Sequence, residues 1–278
     1  MDVQATLRAI ARDAERGEML FPTHVEIALR VQRALDDPGC STERLAKLIS
    51  VEPILSARLV SIANSVAYNP SGQVLSDVRN AVSRLGFKTL RVLATALVVQ
   101  QMQGMSRSPE HRALAGRLWE HTSYVAALAR VIAQRVTRQD PEAAFFAGIV
   151  HEIGGFYLIA RASNFPGLLD GELEPWCGDG EAQVGRCVLR MLDVPAHVLD
   201  AQETLWDGYL ALPPRTLGDT LLLADELSPI ESPLAELGGM SRKGMAAELE
   251  LLIDDEMLSH ILADSAEEVD SLTAALKA

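Results

Sequence analysis

Apolar residues recur along this chain at helical spacing nearly throughout, and no alternating strand-and-turn pattern is found. Phe21-Pro22-Thr23 precedes a segment carrying Val25 and Leu29 on one face, with Thr23 placed to cap it. Asp36-Asp37-Pro38-Gly39 breaks the chain, and Ser41 reads as the next N-cap, ahead of Leu45, Leu48 and Ile49. Glu52-Pro53 opens a further helix, because proline suits the first helical position, and its stripe is Leu55, Leu59 and Ile62. A polar stretch from Asn64 to Gly72 then interrupts, with Tyr68 to Gly72 as the turn. Ser76 is expected to cap the helix of Val78, Val82 and Leu85, which Gly86 ends. Leu90, Leu93, Ala94, Leu97 and Val98 follow on one face of an amphipathic helix.

Gln103 to Glu110 reads as a linker between two helical halves, 1–105 and 106–278. In the second half Leu118, Val125, Leu128, Ala129 and Ile132 mark a long helix. Asp140-Pro141-Glu142 starts the next with a cap, a proline at N1 and an acid in the first turn. Phe145, Phe146, Ile149 and Val150 form its apolar side. Gly154-Gly155 can be read as a left-handed stop to that helix. A loop rich in Gly, Pro and Asp runs from Asn164 to Gly180. Further helices are expected around Val184 to Leu192, after Val194-Pro195, over Leu217 to Leu227 and over Met245 to Leu262. The fold class is all-α, a multi-helix bundle with the smaller half first.

Composition narrows the function classes. The 278 residues carry a formal charge of −13, which repels phosphate backbones and disfavours general nucleic-acid binding. Arg79, Arg84, Lys88 and Arg91 do gather near one helix face, although such clusters usually mark a solvated surface. Cys40, Cys177 and Cys187 have neither disulfide nor zinc spacing and fit a reducing compartment. The start lacks a signal peptide pattern, and apolar runs such as Ala94 to Val99 are too short to span a bilayer, so a cytosolic location is expected. No internal repeat or phosphate-binding glycine motif is present.

Three groups of residues carry a family pattern. The first comprises Phe21-Pro22, Asp37-Pro38, Leu45 to Ser50, Glu52-Pro53, Arg58-Leu59, Ile62-Ala63-Asn64-Ser65 and Ala81 to Gly86. The others are Leu118-Trp119-Glu120-His121-Thr122 and Ala147 to Gly154 with His151-Glu152 at its centre. Together, over Leu20 to Asp207, the chain resembles an HDOD domain, a relative of the HD-type metal-dependent phosphohydrolases. That resemblance implies an HD-like bundle in which His121 matches an isolated metal-binding histidine, His151 the first member of a His-Asp pair, and Asp225 the terminal aspartate. Imidazole and carboxylate together suit a divalent metal that polarises phosphate and activates water.

The same comparison implies loss. Glu152 stands where the pair has aspartate, and Gly155 where active HD-GYP enzymes carry a lysine. The downstream His-His and "GYP" signatures are absent from Ala201 to Pro213. The expected function is therefore a non-catalytic bacterial signalling module that binds a protein partner, or a small ligand in the cleft around His121, His151 and Glu152, with no cofactor. The alternative is a residual phosphohydrolase acting on a nucleotide or cyclic dinucleotide, with one divalent metal on His121, His151, Glu152 and Asp225. Either histidine alone is as well explained by a hydrogen bond at a helix interface. His24, His111, His197 and His260 are expected at the surface, and Trp119, Trp176 and Trp206 in packing roles.

Overall fold

The computed structural model describes residues 3–16, 25–169, 176, 180–237 and 255–277, and among them there is no strand. The helices are α1 (Val3–Glu15), α2 (Val25–Asp36), α3 (Thr42–Ser50), α4 (Pro53–Asn64), α5 (Val78–Met102), α6 (Pro109–Ile132) and α7 (Pro141–Val150). They continue with α8 (Ile153–Ala162), α9 (Glu181–Met191), α10 (Ala196–Asp207), α11 (Leu217–Glu226), the short α12 (Pro233–Leu237) and α13 (Asp255–Lys277). Thr23, His24, Cys177 and the first part of the helix expected at Met245 lie outside the described residues.

Local signals set most helix starts. Ser41 accepts from the Arg44 amide, and Asp140 accepts from the amides of Glu142 and Ala143. The cap of α5 is Asp77 rather than Ser76: its carboxylate accepts from the Asn80 amide. Either residue satisfies a capping rule, and the carboxylate is the stronger acceptor for an orphan amide. Gly86, at φ 74°, kinks α5 where a side chain would be strained. Beyond the kink the helix is buried on every side from Val92 to Val99, so it is the central post rather than an amphipathic surface helix. Ser65 donates to the Ile62 carbonyl, and Asn64 both donates to and accepts from the backbone of Leu75, stapling the loop after α4.

α2, α3, α4, α7 and α8 surround α5, and α6 packs against α7, α8, α11 and α13. The expected linker is short and tied down. Gln103–Met105 form a single 3-10 turn, and Ser106 bonds both Ser163 and His111. One apolar core runs from Leu7 through to Leu276. Among the described residues, Pro141–Ala162 is long and apolar enough to cross a membrane, contrary to the expectation from shorter runs such as Ala94 to Val99. Its most apolar 18-residue stretch is 94% buried in the protein, and the segment is broken at His151-Glu152. Trp119 and Trp176 are core residues and Trp206 is half-buried against Arg186, as packing roles require.

α6 meets α7 unusually closely. A Cβ at Gly148 would lie 2.4 Å from the Ala126 Cα, so only glycine permits this approach. Farther along the same pair of helices is a buried polar network. The Tyr68 hydroxyl lies 2.8 Å from both carboxylate oxygens of Glu142, and Thr89 donates to Glu142 at 2.7 Å. Arg130 lies over the Tyr68 ring at 4.6 Å and bridges Glu142 (3.4 Å) to Glu268 of α13 (2.8 Å), which Arg135 also reaches at 3.1 Å.

Candidate metal centre

Three parts of the bundle bring His121, His151 and Glu152 into one group, with Asp225 beside the two histidines. His121 lies on α6, Asp225 in the last turn of α11, and His151-Glu152 form the turn from α7 into α8. That turn is where α7 runs out: His151 is still helical, whereas Glu152 leaves helical angles at φ −102°, ψ 20°. The final carbonyls of a helix lack amide partners. One of them, on Gly148, accepts from His151 Nδ1 at 2.7 Å. The Ile230 carbonyl, in the segment after α11, accepts from His121 Nδ1 at 2.6 Å.

A carbonyl oxygen can only accept, so both Nδ1 atoms carry hydrogen, and in the neutral rings both Nε2 atoms present lone pairs. The two Nε2 atoms are 3.1 Å apart. Asp225 Oδ1 stands 3.2 Å from His121 Nε2 and 3.8 Å from His151 Nε2. The donor atoms of His121, His151 and Glu152 all lie within 4.8 Å of one another. Ligands about 2.1 Å from one tetrahedral ion stand about 3.4 Å apart, so this spacing and this donor chemistry fit a divalent metal. The two carbonyls would then be the outer supports that fix each ring's tautomer and direction.

A proton is the competing cation. Burial disfavours charge on His121, but the hydrogen bond and charge of Asp225, with Glu152 behind it, outweigh burial and raise its pKa. Burial, with the neighbouring His121, lowers that of His151.

The centre is closed. His121 and His151 are each 2% exposed and Glu152 is 8% exposed. Gly154 and Gly155 do not stop a helix, as their sequence suggested; they form the first turn of α8 and allow close packing. A Cβ at Gly155 would lie 2.3 Å from the Leu234 Cδ1 and 3.2 Å from a Glu152 oxygen. The missing side chain is what lets Leu234 of α12 settle beside the acid. Neither the two supporting carbonyls nor Leu234 was foreseen from sequence, since a backbone acceptor leaves no residue-type signal. Gly148, a glycine inside an apolar helical run, was the one available hint of a close approach.

A family model for the HDOD domain matches residues 21–170, more than half of the chain. The chain belongs to the HDOD family. Among solved structures it is similar to a Shewanella amazonensis protein provisionally named a metal-dependent phosphohydrolase, at 22% identity and a TM-score of 0.73, covering 99% of this chain and 100% of that one. An HDOD domain protein from Geobacter sulfurreducens matches at 24% identity and a TM-score of 0.60, covering 99% and 98%. A Marinobacter aquaeolei protein provisionally named for signal transduction matches at 17% identity and a TM-score of 0.59, covering all of this chain and 67% of that one. At these identities the likeness establishes the fold. Comparison with curated proteins gave no match.

Elsewhere in this HDOD chain the other histidines stay away from the centre. His197 and His260 are exposed, the latter paired with Asp264, while His111 is half-buried against Ser106, not at the surface as expected. The basic group on α5 is largely engaged within the protein. Arg84 donates to the carbonyls of Ala63 and Gln73, Lys88 pairs with Asp140, and Arg91 pairs with Asp36.

Proposed function

We propose that this chain is a non-hydrolytic HDOD signalling module whose bundle is tied together by one divalent metal ion on His121, His151, Glu152 and Asp225, and which acts by binding a protein partner. The observation that carries this reading is the pair of facing Nε2 atoms, 3.1 Å apart, in a centre whose His121, His151 and Glu152 are all buried. A catalytic metal keeps an open position for water and substrate. Here the donors are shut away from solvent, His121 and His151 at 2% exposure and Glu152 at 8%. A bound ion would supply charge to neutralise the carboxylates and cross-link α6, the α7–α8 turn and α11.

A second reading, residual phosphohydrolase activity, is favoured by the grouping of His121, His151 and Glu152 with Asp225 beside the two histidines. Elemental analysis and turnover separate the two. We expect close to one metal per native chain, none in His151→Ala, and no metal-dependent hydrolysis of nucleotides or cyclic dinucleotides. Hydrolysis at about 1 s⁻¹ or faster, lost in His151→Ala, would establish the enzyme instead. Native protein that takes up no metal would remove the ion from the proposal.

A further inference from the structure

We infer that the hollow between α2 and α3 is a binding site for a phosphate-bearing ligand of nucleotide size. It measures about 410 Å³ and is lined by Arg30, Arg33, Ala34, Asp37, Arg44 and Leu48. Three arginines thus line one concavity in a chain whose formal charge is −13.

The acids near it are already engaged. Asp36, at the end of α2, pairs with Arg91. Asp37 accepts from the Gly39 amide at 2.9 Å and, through its other oxygen, from Arg44. That leaves four arginines against two aspartates, and neither Arg30 nor Arg33 has a carboxylate partner among the described residues. Arg30 and Arg33 are one turn apart on α2, so their charges face the same way and repel. An anion with several oxygens relieves that repulsion, and the guanidinium fork suits phosphate oxygens two at a time. Arg44 is held in place by Asp37 and keeps other N–H donors for the ligand.

The rest of the lining speaks to size and class. Ala34 is buried and Leu48 half-buried, so they supply an apolar wall beside the charged rim. Small-molecule sites commonly combine these features in about 300–1,000 Å³. A bare phosphate would leave that wall unused, whereas a base or sugar would cover it.

The site is separate from the metal centre, and the test keeps them apart. Binding of ATP, GTP, pyrophosphate and inorganic phosphate would be measured by calorimetry in magnesium-free buffer. Native chain, Arg30→Glu/Arg33→Glu, His151→Ala and the remote charge control Arg79→Glu would be compared, each checked for folding by circular dichroism. We expect nucleotide binding that the double variant weakens roughly tenfold or more, that salt weakens, and that His151→Ala and Arg79→Glu leave within about twofold. Unchanged affinity in the folded double variant overturns the proposal, as does an equal loss in Arg79→Glu or no binding by any probe. Loss confined to His151→Ala places the ligand at the metal centre instead. Pyrophosphate binding as tightly as the nucleotides, or an oligoglutamate peptide displacing them equally well, overturns the nucleotide assignment.

Discussion

Two buried polar clusters share α6 and α7, and they are built on opposite principles. Around Arg130, donors meet acceptors: two guanidinium groups face two carboxylates, with the hydroxyls of Tyr68 and Thr89 completing Glu142. Burial and the Glu142 charge raise the Tyr68 pKa, so its hydroxyl stays protonated and keeps donating. Around His121, two imidazole Nε2 atoms face each other at 3.1 Å, with Asp225 beside both and Glu152 grouped with the two rings. A matched cluster needs nothing further and holds helices together. A cluster built on two facing imidazole nitrogens and nearby carboxylates has the chemistry to take a cation, and that difference marks one as structural and the other as a candidate ligand site.

Breaking the matched cluster should have the larger effect. Glu142→Ala leaves Arg130 and Arg135 sharing Glu268 alone, and should cost about 3–5 kcal/mol in urea unfolding while the metal content stays near one per chain. Equal stability would mean that the network contributes nothing net. The converging cluster should respond to metal instead. With free metal at about 100 times its Kd, native protein should gain about 2.7 kcal/mol over metal-free protein, and His151→Ala should gain none. If Glu142→Ala also lost the metal-dependent gain, the two clusters would be one coupled unit and the contrast would fail.

Gly148 connects the two regions through the spacing of α6 and α7. Gly148→Ala forces backbone apart at Ala126 and should cost about 1–3 kcal/mol. Because the α7 end that carries His151 moves with it, metal affinity should fall too; a variant that loses stability and binds metal normally would uncouple spacing from the site. The smallest effect expected is at Asp219. Burial raises its pKa, but the amides of Arg215, Thr216 and Ala211 and the Thr216 hydroxyl outweigh this, leaving it below 3.8. Its contribution is therefore present above the unfolded pKa and lost as pH falls through the lower folded one. Asp219→Asn should cost about 1 kcal/mol at neutral pH, and the gap should close in acid unfolding as pH falls below the ordinary carboxylate range. A gap that persists there would assign the loss to packing.

How far each feature could be foreseen follows from the range of the interaction behind it. Ser41 and Asp140 were readable as caps because their partners lie within three residues. Asp77 displaced the expected Ser76 because two adjacent residues both satisfied the rule. The Glu142 network was invisible: Tyr68 and Glu142 are 74 residues apart, and Arg130 and Glu268 are 138 apart. Gly154-Gly155 carried the same signal for a helix stop and for a close contact, and only the position of α12 chose between them. Sequence by itself determined the all-helical class, most helix starts, the HDOD resemblance and the four side chains of the candidate centre. These depend on periodicity, on nearest neighbours and on motif order, all of which are local properties of the chain. Tertiary structure decided that His121, His151 and Glu152 group together beside Asp225, which carbonyls orient the two rings, and that Leu234 packs against Gly155. Each of those is a distance between segments far apart in sequence, set by how helices pack rather than by which residues they contain.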